Sequence, residues 1–461
     1  MSQPKVLRVG YPLSFIQKGQ ILLDPTNTDS VYQFYLLENL AAGLVRDSSQ
    51  SPLGYEPGLA RAWEKLSPTR WAFDLNPDLS WSDGTKIDPR AIAEHLQSLA
   101  RDKHRHVVYL RRLKKASVEG RRIVLEFDSP VNDGLIHELS LADAALLHPK
   151  NLTDDWSVVS GAFFVESFDP GKRLLLRRNS HYAGSSNGPD KVEFVNYTMD
   201  TIGDFFDKTD IDLLKIPTPA FRAPNQKILS HAPQVLKGYP TWIYYLHFNP
   251  SRPLGRDAEL RRSLAALLDD ALKGDLPPGL TRERQLVPKG YSGHLDAAPS
   301  LPAPKPGLLR GRHIKINLLP SFGEAKALKE ALAAAFTKAG ATLELGENWG
   351  FEENDADAQL SQFSGNQRDA MGSWQFMFSP DHGDLAAYRP QVEGFFEQIS
   401  GAENTESREA ALRLLHARVL KEAYAVPLFI EADSMVASKR VDLSRLNPFD
   451  MRLRFYEVQW K

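Results

Sequence analysis

Trp71-Ala-Phe-Asp-Leu75-Asn-Pro-Asp78-Leu-Ser-Trp81-Ser-Asp-Gly-Thr85 is the stretch on which the fold turns. Trp71, Phe73 and Leu75 alternate with Ala72, Asp74 and Asn76, the period of a half-buried strand. Asn76-Pro77-Asp78 makes a turn, because proline fixes its own backbone angle and the Asx side chains bond locally. Asp83-Gly84 makes a second, tighter one. Asp88-Pro89 then reads as a helix cap with proline in the first turn. Ile92, Leu96 and Leu99 supply the apolar stripe of that helix. Upstream, Tyr55-Glu-Pro-Gly-Leu-Ala-Arg-Ala-Trp63-Glu64 leads into the strand.

The chain has 461 residues, enough for two or three domains with their own cores. Its formal net charge of −2 gives no overall field that would draw it to nucleic acid. It has no cysteine, which removes disulfides, thiolate metal sites and cysteine nucleophiles. No run of about 18 apolar residues occurs, so no membrane-spanning helix is expected. Met1-Ser-Gln-Pro-Lys5 leads directly into an apolar strand, Val6 to Val9, and lacks the apolar core of a signal peptide.

Signals for catalysis are poor. There is no P-loop, no dinucleotide glycine fingerprint and no H-E-x-x-H. Gly184-Ser-Ser-Asn-Gly188 spells a nucleophile elbow, but a strand-like Val192 to Tyr197 follows where a helix is required. It is read as a hairpin loop. A basic run from Arg101 to Lys115 includes His104 and His106. No further ligands stand at metal spacing, so it is read as a solvated face. No catalytic residue, metal site or cofactor is expected.

Further along, Phe163 to Phe168 and Arg173 to Arg178 form a strand pair across Asp169-Pro170-Gly171. Asp29 to Leu44 is helix-like. Tyr239 to Asn249 is a strand, and Asp257 caps a helix carrying Leu260, Leu264, Leu267 and Leu268. Residues 275 to 311, rich in proline and glycine, are expected to be a long internal loop. Glu324 to Ala339 is an amphipathic helix with Gly340 at its end, and Ser407 to Glu422 is the last helix.

The 59–85 pattern, Leu-Ala-x-x-Trp-Glu followed by Trp-x-Phe-x-Leu-x-Pro-x-x-x-Trp-Ser-Asp-Gly-Thr, resembles the signature of the family 5 extracytoplasmic solute-binding proteins. These are the dipeptide, oligopeptide and nickel-type receptors of ABC transporters. Leu176-Arg-Arg-Asn-Ser-His-Tyr182, Pro189-Asp-Lys-Val192 and Ala425-Val-Pro-Leu-Phe429 resemble further segments of that family. The resemblance implies an α/β, periplasmic-binding-protein-like fold: two lobes with mixed sheets joined by a two-strand hinge, plus an extra small subdomain. Residues 1–40, 160–249 and 431–461 would form lobe I. Residues 41–159 would be the subdomain packed on it, and 250–430 lobe II. Trp242 to Asn249 and Val426 to Ile430 would be the crossovers.

By the same resemblance the ligand is a peptide or small polar solute, held between the lobes and delivered to an inner-membrane ABC permease. The protein would be a periplasmic or extracytoplasmic monomer whose export signal has been removed. The ligand-binding residues so implied are Ala42, Gly43, Phe163, Trp242, Trp374, Phe376, Phe378, Asp381 and Asp384. Asp381, behind the aromatic run Trp374 to Phe378, is the preferred anchor for a ligand ammonium. An ammonium drawn into a closed cleft needs a counter-charge to offset its desolvation. Ala41-Ala42-Gly43-Leu44 stands where relatives carry an aromatic-Glu-Gly-Leu, so a cationic ligand group loses a partner there. Two alternatives stay open: a cytoplasmic ligand-sensing module of the same fold, and a hydrolase using Asp or Glu.

Overall fold

Gly84 adopts a φ of +86°, and Asp83 Oδ1 accepts the Thr85 backbone N–H at 2.9 Å, which closes the expected tight turn. The computed structural model describes residues 4–16, 19–25, 28, 30–48, 54–101, 108–182, 188–198, 202, 210–216, 223–273, 276, 279–300, 307–319, 326–346, 351, 356–364, 369–380, 383–446 and 453–461. Lys103, His104, Arg105 and His106 of the basic run lie outside these residues, as do residues 183–187 of the glycine-serine loop.

In chain order the main strands are Val6–Tyr11 (β1), Ala60–Ser67 (β2), Arg70–Leu75 (β3), Leu113–Glu119 (β4), Arg122–Phe127 (β5), Phe163–Asp169 (β6) and Arg173–Arg178 (β7). They continue as Lys191–Asn196 (β8), Leu213–Ile216 (β9), Gln234–Phe248 (β10), His313–Asn317 (β11), Thr342–Gly346 (β12), Ala358–Ser364 (β13) and Ala425–Ala437 (β14). The helices that matter for the site are Val31–Leu40 (α1), Pro89–Arg101 (α2), Gly134–Ser140 (α3), Ala258–Ala271 (α4), Lys326–Lys338 (α5), Ala370–Met377 (α6), Glu393–Gly401 (α7) and Thr405–Lys421 (α8).

Several ends are set by the expected chemistry. Asp257 accepts the backbone N–H groups of Glu259 and Leu260 and so starts α4. Gly340, at φ +73°, ends α5. The helix expected from Asp29 to Leu44 is shorter. Ser30 starts it with a capping box closed by Gln33, and Ala41 turns extended. Trp374 to Phe378, expected as part of a cleft segment, belongs to α6 and its C-terminal end. Asp369 caps that helix by accepting the Met371 N–H at 2.9 Å. On β3, Ala72 is buried along with Trp71, Phe73 and Leu75, so the strand is covered on both faces rather than one.

Among the described residues the large sheet has 11 strands, in the order β12-β11-β13-β10-β14-β9-β1-β8-β7-β6, with Thr281–Arg282 pairing against β14. It is mixed: β1 pairs in parallel with β8 and β9, and β11 with β12 and β13, while β10 and β14 run antiparallel. Four further strands, β2-β3-β5-β4, make a separate antiparallel sheet. The apolar cores follow this division. One lies under α1 and β1, with Leu36, Leu40, Val9 and Phe194. A second fills the small sheet against α2 and α3. The other half of the large sheet has a core on each face: α4 and α5 cover one, and α6 to α8 cover the other.

The two halves of the large sheet are joined by β10 and β14. Gln234–Lys237 of β10 pair with Ser434–Ala437 of β14, which in turn pair with β9. Trp242–His247 of β10 stay paired with Ala425–Glu431 of β14 on one edge, and Trp242–Phe248 pair with β13 on the other. Between these segments the β10–β14 register slips twice, at Lys237/Pro240 and Pro240/Trp242. Pro240 has no N–H to give to the ladder, so pairing is weakest there. These two slips fall just before Trp242 and opposite Glu431 to Ser434, and a third, at Tyr244/Tyr245, falls within the expected crossovers.

Candidate ligand site on the strands between the lobes

Directly opposed residues on neighbouring strands share a face of the sheet, and so do residues two apart on one strand. Trp242 is opposite Glu431 on one side and Ser364 on the other. Tyr244 is opposite Phe429 and Gln362. These two rows lie on the face that carries Leu246 and Leu360 into the core under α4 and α5. Continuing along β14 past Glu431, the same face presents Asp433 and then Met435, which enters the core under α1. A polar band thus separates two apolar cores, at the place where β10 and β14 link the two halves of the large sheet.

Most of the charge in this band is already matched. Lys215 on β9 is buried and places Nζ 2.8 Å from Asp433 Oδ2. It also donates to the Tyr35 hydroxyl on α1 at 2.6 Å and lies over that ring, 4.2 Å from its centroid. Burial alone would pull this ammonium down, but the Asp433 carboxylate and Tyr35 hold it up at about 12. Lys215 therefore remains charged.

The remaining polar atoms of the band differ. Trp242 Nε1, Gln362 Oε1 and Ser364 Oγ are shielded from solvent and have no hydrogen-bond partner among the described residues. None of Gln362, Ser364, Lys215, Glu431 or Asp433 was singled out from the sequence. A signal existed: Glu431 and Asp433 sit two apart within β14, which is otherwise apolar along most of its length and buried throughout. Gln362 and Ser364 likewise flank Phe363.

The expected ligand residues are distributed over several places. Ala42 is buried, and its N–H donates to Ser160 Oγ at 2.9 Å. Gly43 is pressed by backbone, since a Cβ there would meet Leu139 O at 2.7 Å. Phe163 lies in the core under α1. Trp374 and Phe378 lie in the core under α6 to α8, where the indole neighbours His416, and Trp374 Nε1 has no partner among the described residues. Phe376 projects outward and is 54% exposed. Asp381 lies outside the described residues. Of the eight that are described, Trp242 is the one on the polar band.

Asp384 belongs to a cluster on the opposite sheet face. Its Oδ2 accepts the Tyr245 hydroxyl at 2.5 Å, and its backbone carbonyl lies 3.2 Å from His247 Nδ1. Ser361 Oγ is 3.0 Å from His247 Nε2. Burial holds His247 below its ordinary range and Tyr245 well above its own, so both stay neutral. A serine, a histidine and an aspartate are present, yet the carboxylate sits 3.6 Å from the same ring nitrogen that the serine faces. A nucleophile relay requires the carboxylate on the other nitrogen. Ser361 is also buried.

A cavity of about 1200 Å³ opens elsewhere, beside α4 and Ala425 to Pro427. Several of its charges are paired with one another: Asp269 binds both Arg282 and Arg284, and Asp270 binds Lys273. No group of three or more metal-binding side chains is found among the described residues.

The model of the bacterial extracellular solute-binding proteins, family 5, middle region, matches residues 54–384, well over half of the chain. This chain belongs to that family. It is 25% identical over 298 residues to a putative binding protein of Brucella melitensis, covering 55% of this chain and 48% of that one. It is 22% identical over 270 residues to the probable D,D-dipeptide-binding periplasmic protein DdpA of Escherichia coli, covering 54% and 51%. These matches span about half the length of the curated relatives. Among solved structures, NikA from Brucella suis in complex with Fe(III)-EDTA superposes with a TM-score of 0.79 at 17% identity, covering 99% of this chain and 100% of that one. The fold is thus the periplasmic-binding-protein-like fold of this family.

Proposed function

We propose that this family 5 protein is the solute-binding receptor of an ABC importer, working outside the cytoplasmic membrane as a monomer that docks on a permease. One observation carries the reading. The two strands β10 and β14 connect the lobes, and the face they share bears a shielded polar band between two apolar cores. A solute seated on that band is held by both lobes, so its binding favours the closed arrangement. Closure excludes water and strengthens each polar contact.

The solute is a peptide or a comparable small polar molecule. DdpA is named for a D,D-dipeptide, which supports the peptide class. NikA holds a metal chelate on the same fold, so the scaffold also suits compact polar ligands. Trp242, Gln362 and Ser364 are the residues we assign to direct contact, with Lys215, Tyr35 and Asp433 setting the charge behind them. Native mass spectrometry of the purified protein, followed by small-angle scattering with the solute so identified, tests the proposal. A smaller radius of gyration on adding the solute is expected. An unchanged radius at saturation overturns it.

A further inference from the structure

We infer that the part of the solute seated against β10 and β13 is an uncharged hydrogen-bonding group, an amide or a hydroxyl, recognised by Trp242 Nε1, Gln362 and Ser364 Oγ. This rests on the receptor reading above and names the ligand chemistry of that site. Buried polar atoms in folded proteins nearly always have partners, so each exception calls for an explanation. Here three exceptions fall on two neighbouring strands. Trp242 and Ser364 are directly opposed, and Gln362 is one step further along the same face.

Their chemistry limits what they can bind. The indole N–H only donates. The hydroxyl donates or accepts, and the carboxamide presents either edge, because its oxygen and nitrogen exchange by a flip. None of the three carries a charge. The charged groups beside them are engaged: Lys215 with Asp433 and Tyr35, and Glu431 with an interaction of its own. A carboxylate or an ammonium placed against the three would be desolvated without a counter-ion. A neutral group with an acceptor for the indole and a donor–acceptor edge for the other two meets all three requirements. A peptide bond or a sugar diol has this pattern. A site built to hydrogen-bond a group discriminates strongly against ligands that lack it.

The test titrates four probes by calorimetry: N-acetyl-alanyl-alanine amide and cellobiose, which are uncharged, and zwitterionic alanyl-alanine and a nickel(II)–histidine complex. Wild type is compared with Trp242→Phe, Ser364→Ala and, as a third variant, Gln362→Leu. At least one probe with an uncharged amide or diol is expected to bind, and each substitution to weaken it tenfold or more. Because the substituted atoms have no partners among the described residues, the variants are expected to melt no earlier than wild type without a probe. Three results overturn the inference: equal affinity in wild type and variants, binding of the nickel complex alone, or a clear loss of stability in the unliganded variants. If the nickel complex binds and compacts the protein, the receptor reading stands and only this inference falls. If no probe binds or compacts the protein, both fall.

Discussion

The Asn132 carboxamide donates to the Ile399 carbonyl at 3.0 Å and to the Ala402 carbonyl at 3.1 Å, across a separation of 267 positions in the chain. Asn132 follows the small sheet, and the two carbonyls belong to the end of α7 in the half of the large sheet that carries α4 to α8. The last carbonyls of a helix lack partners within it. Asn132 supplies one from another unit, and is itself fully buried. Arg112 donates to the Ser400 carbonyl at 2.8 Å, and Thr405 bonds Asp133 beside it. The unit built on the small sheet thus grips α7 and the start of α8 directly, without going through β10 and β14.

Replacing Asn132 with Ala leaves these carbonyls buried and unpaired. A loss of about 1–3 kcal/mol is expected from the cost of an unsatisfied buried group. Asn132→Asp is expected to be worse, since a carboxylate cannot donate and would face two carbonyl oxygens. Urea denaturation of both variants checks the order. If Ala proves the more damaging, the hydrogen bonds are not what the side chain contributes.

The same junction holds a buried ion pair. Arg408 grips Asp369, donating to Oδ1 at 2.8 Å, and its Nε donates to the Tyr109 hydroxyl at 2.9 Å. Asp369 also caps α6. Burial raises its carboxyl, but Arg408 outweighs that and holds it at about 2. Asp369→Ala strands the guanidinium and uncaps the helix, so a loss of about 3–5 kcal/mol is expected. Tyr109→Phe leaves the Arg408 Nε–H without its acceptor while the ion pair stays, so a smaller loss of about 1–3 kcal/mol is expected. Comparable losses in the two variants would contradict the ion-pair assignment.

The sequence-level reading succeeded where the signal was local. The strand at β3, the Asp83-Gly84 turn, the Asp257 cap and the Gly340 stop each depend on a few adjacent residues, and the family pattern gave the fold they belong to; the half-burial read from the alternation of β3 did not hold, because Ala72 is buried too. The site was less legible. Trp374 to Phe378 resembled a cleft segment, but its aromatic spacing equally suits a helix buried on one side, and α6 is what forms. Gln362, Ser364, Glu431 and Asp433 acquire meaning only when β13 and β14 are set beside β10, which is a fact of pairing between distant segments. The contacts of Asn132 and Arg408 are of the same kind, as no local pattern announces a partner more than 250 positions away.

Gly161 links the start of β6 to the end of α1. A Cβ there would lie 2.4 Å from the Leu40 carbonyl carbon and 2.6 Å from Ala41 N, both backbone atoms that cannot rotate away. The Gly161 N–H bonds the Leu40 carbonyl at 3.0 Å. Gly161→Ala is expected to push α1 off the strand and cost about 1–3 kcal/mol, the usual range for overpacking. It should also disturb the neighbouring bond from the Ala42 N–H to Ser160. A thermal melt indistinguishable from wild type would show that α1 accommodates the methyl group.

His416 on α8 gives the sharpest pH prediction. It is fully buried. Its Nε2 accepts the Leu286 N–H at 3.0 Å, and Nδ1 faces the Gly293 carbonyl at 3.0 Å and so must carry the proton. Both nitrogens are satisfied only in this neutral tautomer. A second proton would set Nε2–H against the Leu286 N–H. Burial, with His294 nearby, pulls the imidazole down to about 3 from the ordinary 6.5, against the opposing pull of the Gly293 carbonyl. The folded value is depressed, so the unfolded chain binds the proton first. This contribution is fully present above about pH 6.5 and is lost as pH falls toward 3, by about 1.4 kcal/mol per pH unit and roughly 4–5 kcal/mol in all. Glu138 acts in the opposite sense over part of this window. Burial raises its carboxyl to about 7, against hydrogen bonds from Leu110, Val108 and Tyr109, so its protonation favours the folded state as pH falls from 7 to 4.5. Asp369 adds its own loss only below about pH 4. Wild type is therefore compared with His416→Gln rather than judged alone. Urea midpoints at pH 7.5, 6, 5 and 4 should show the variant weaker at pH 7.5, with the gap narrowing steadily below pH 6.5. A gap that stays constant across the range would mean that His416 does not resist protonation in the folded protein.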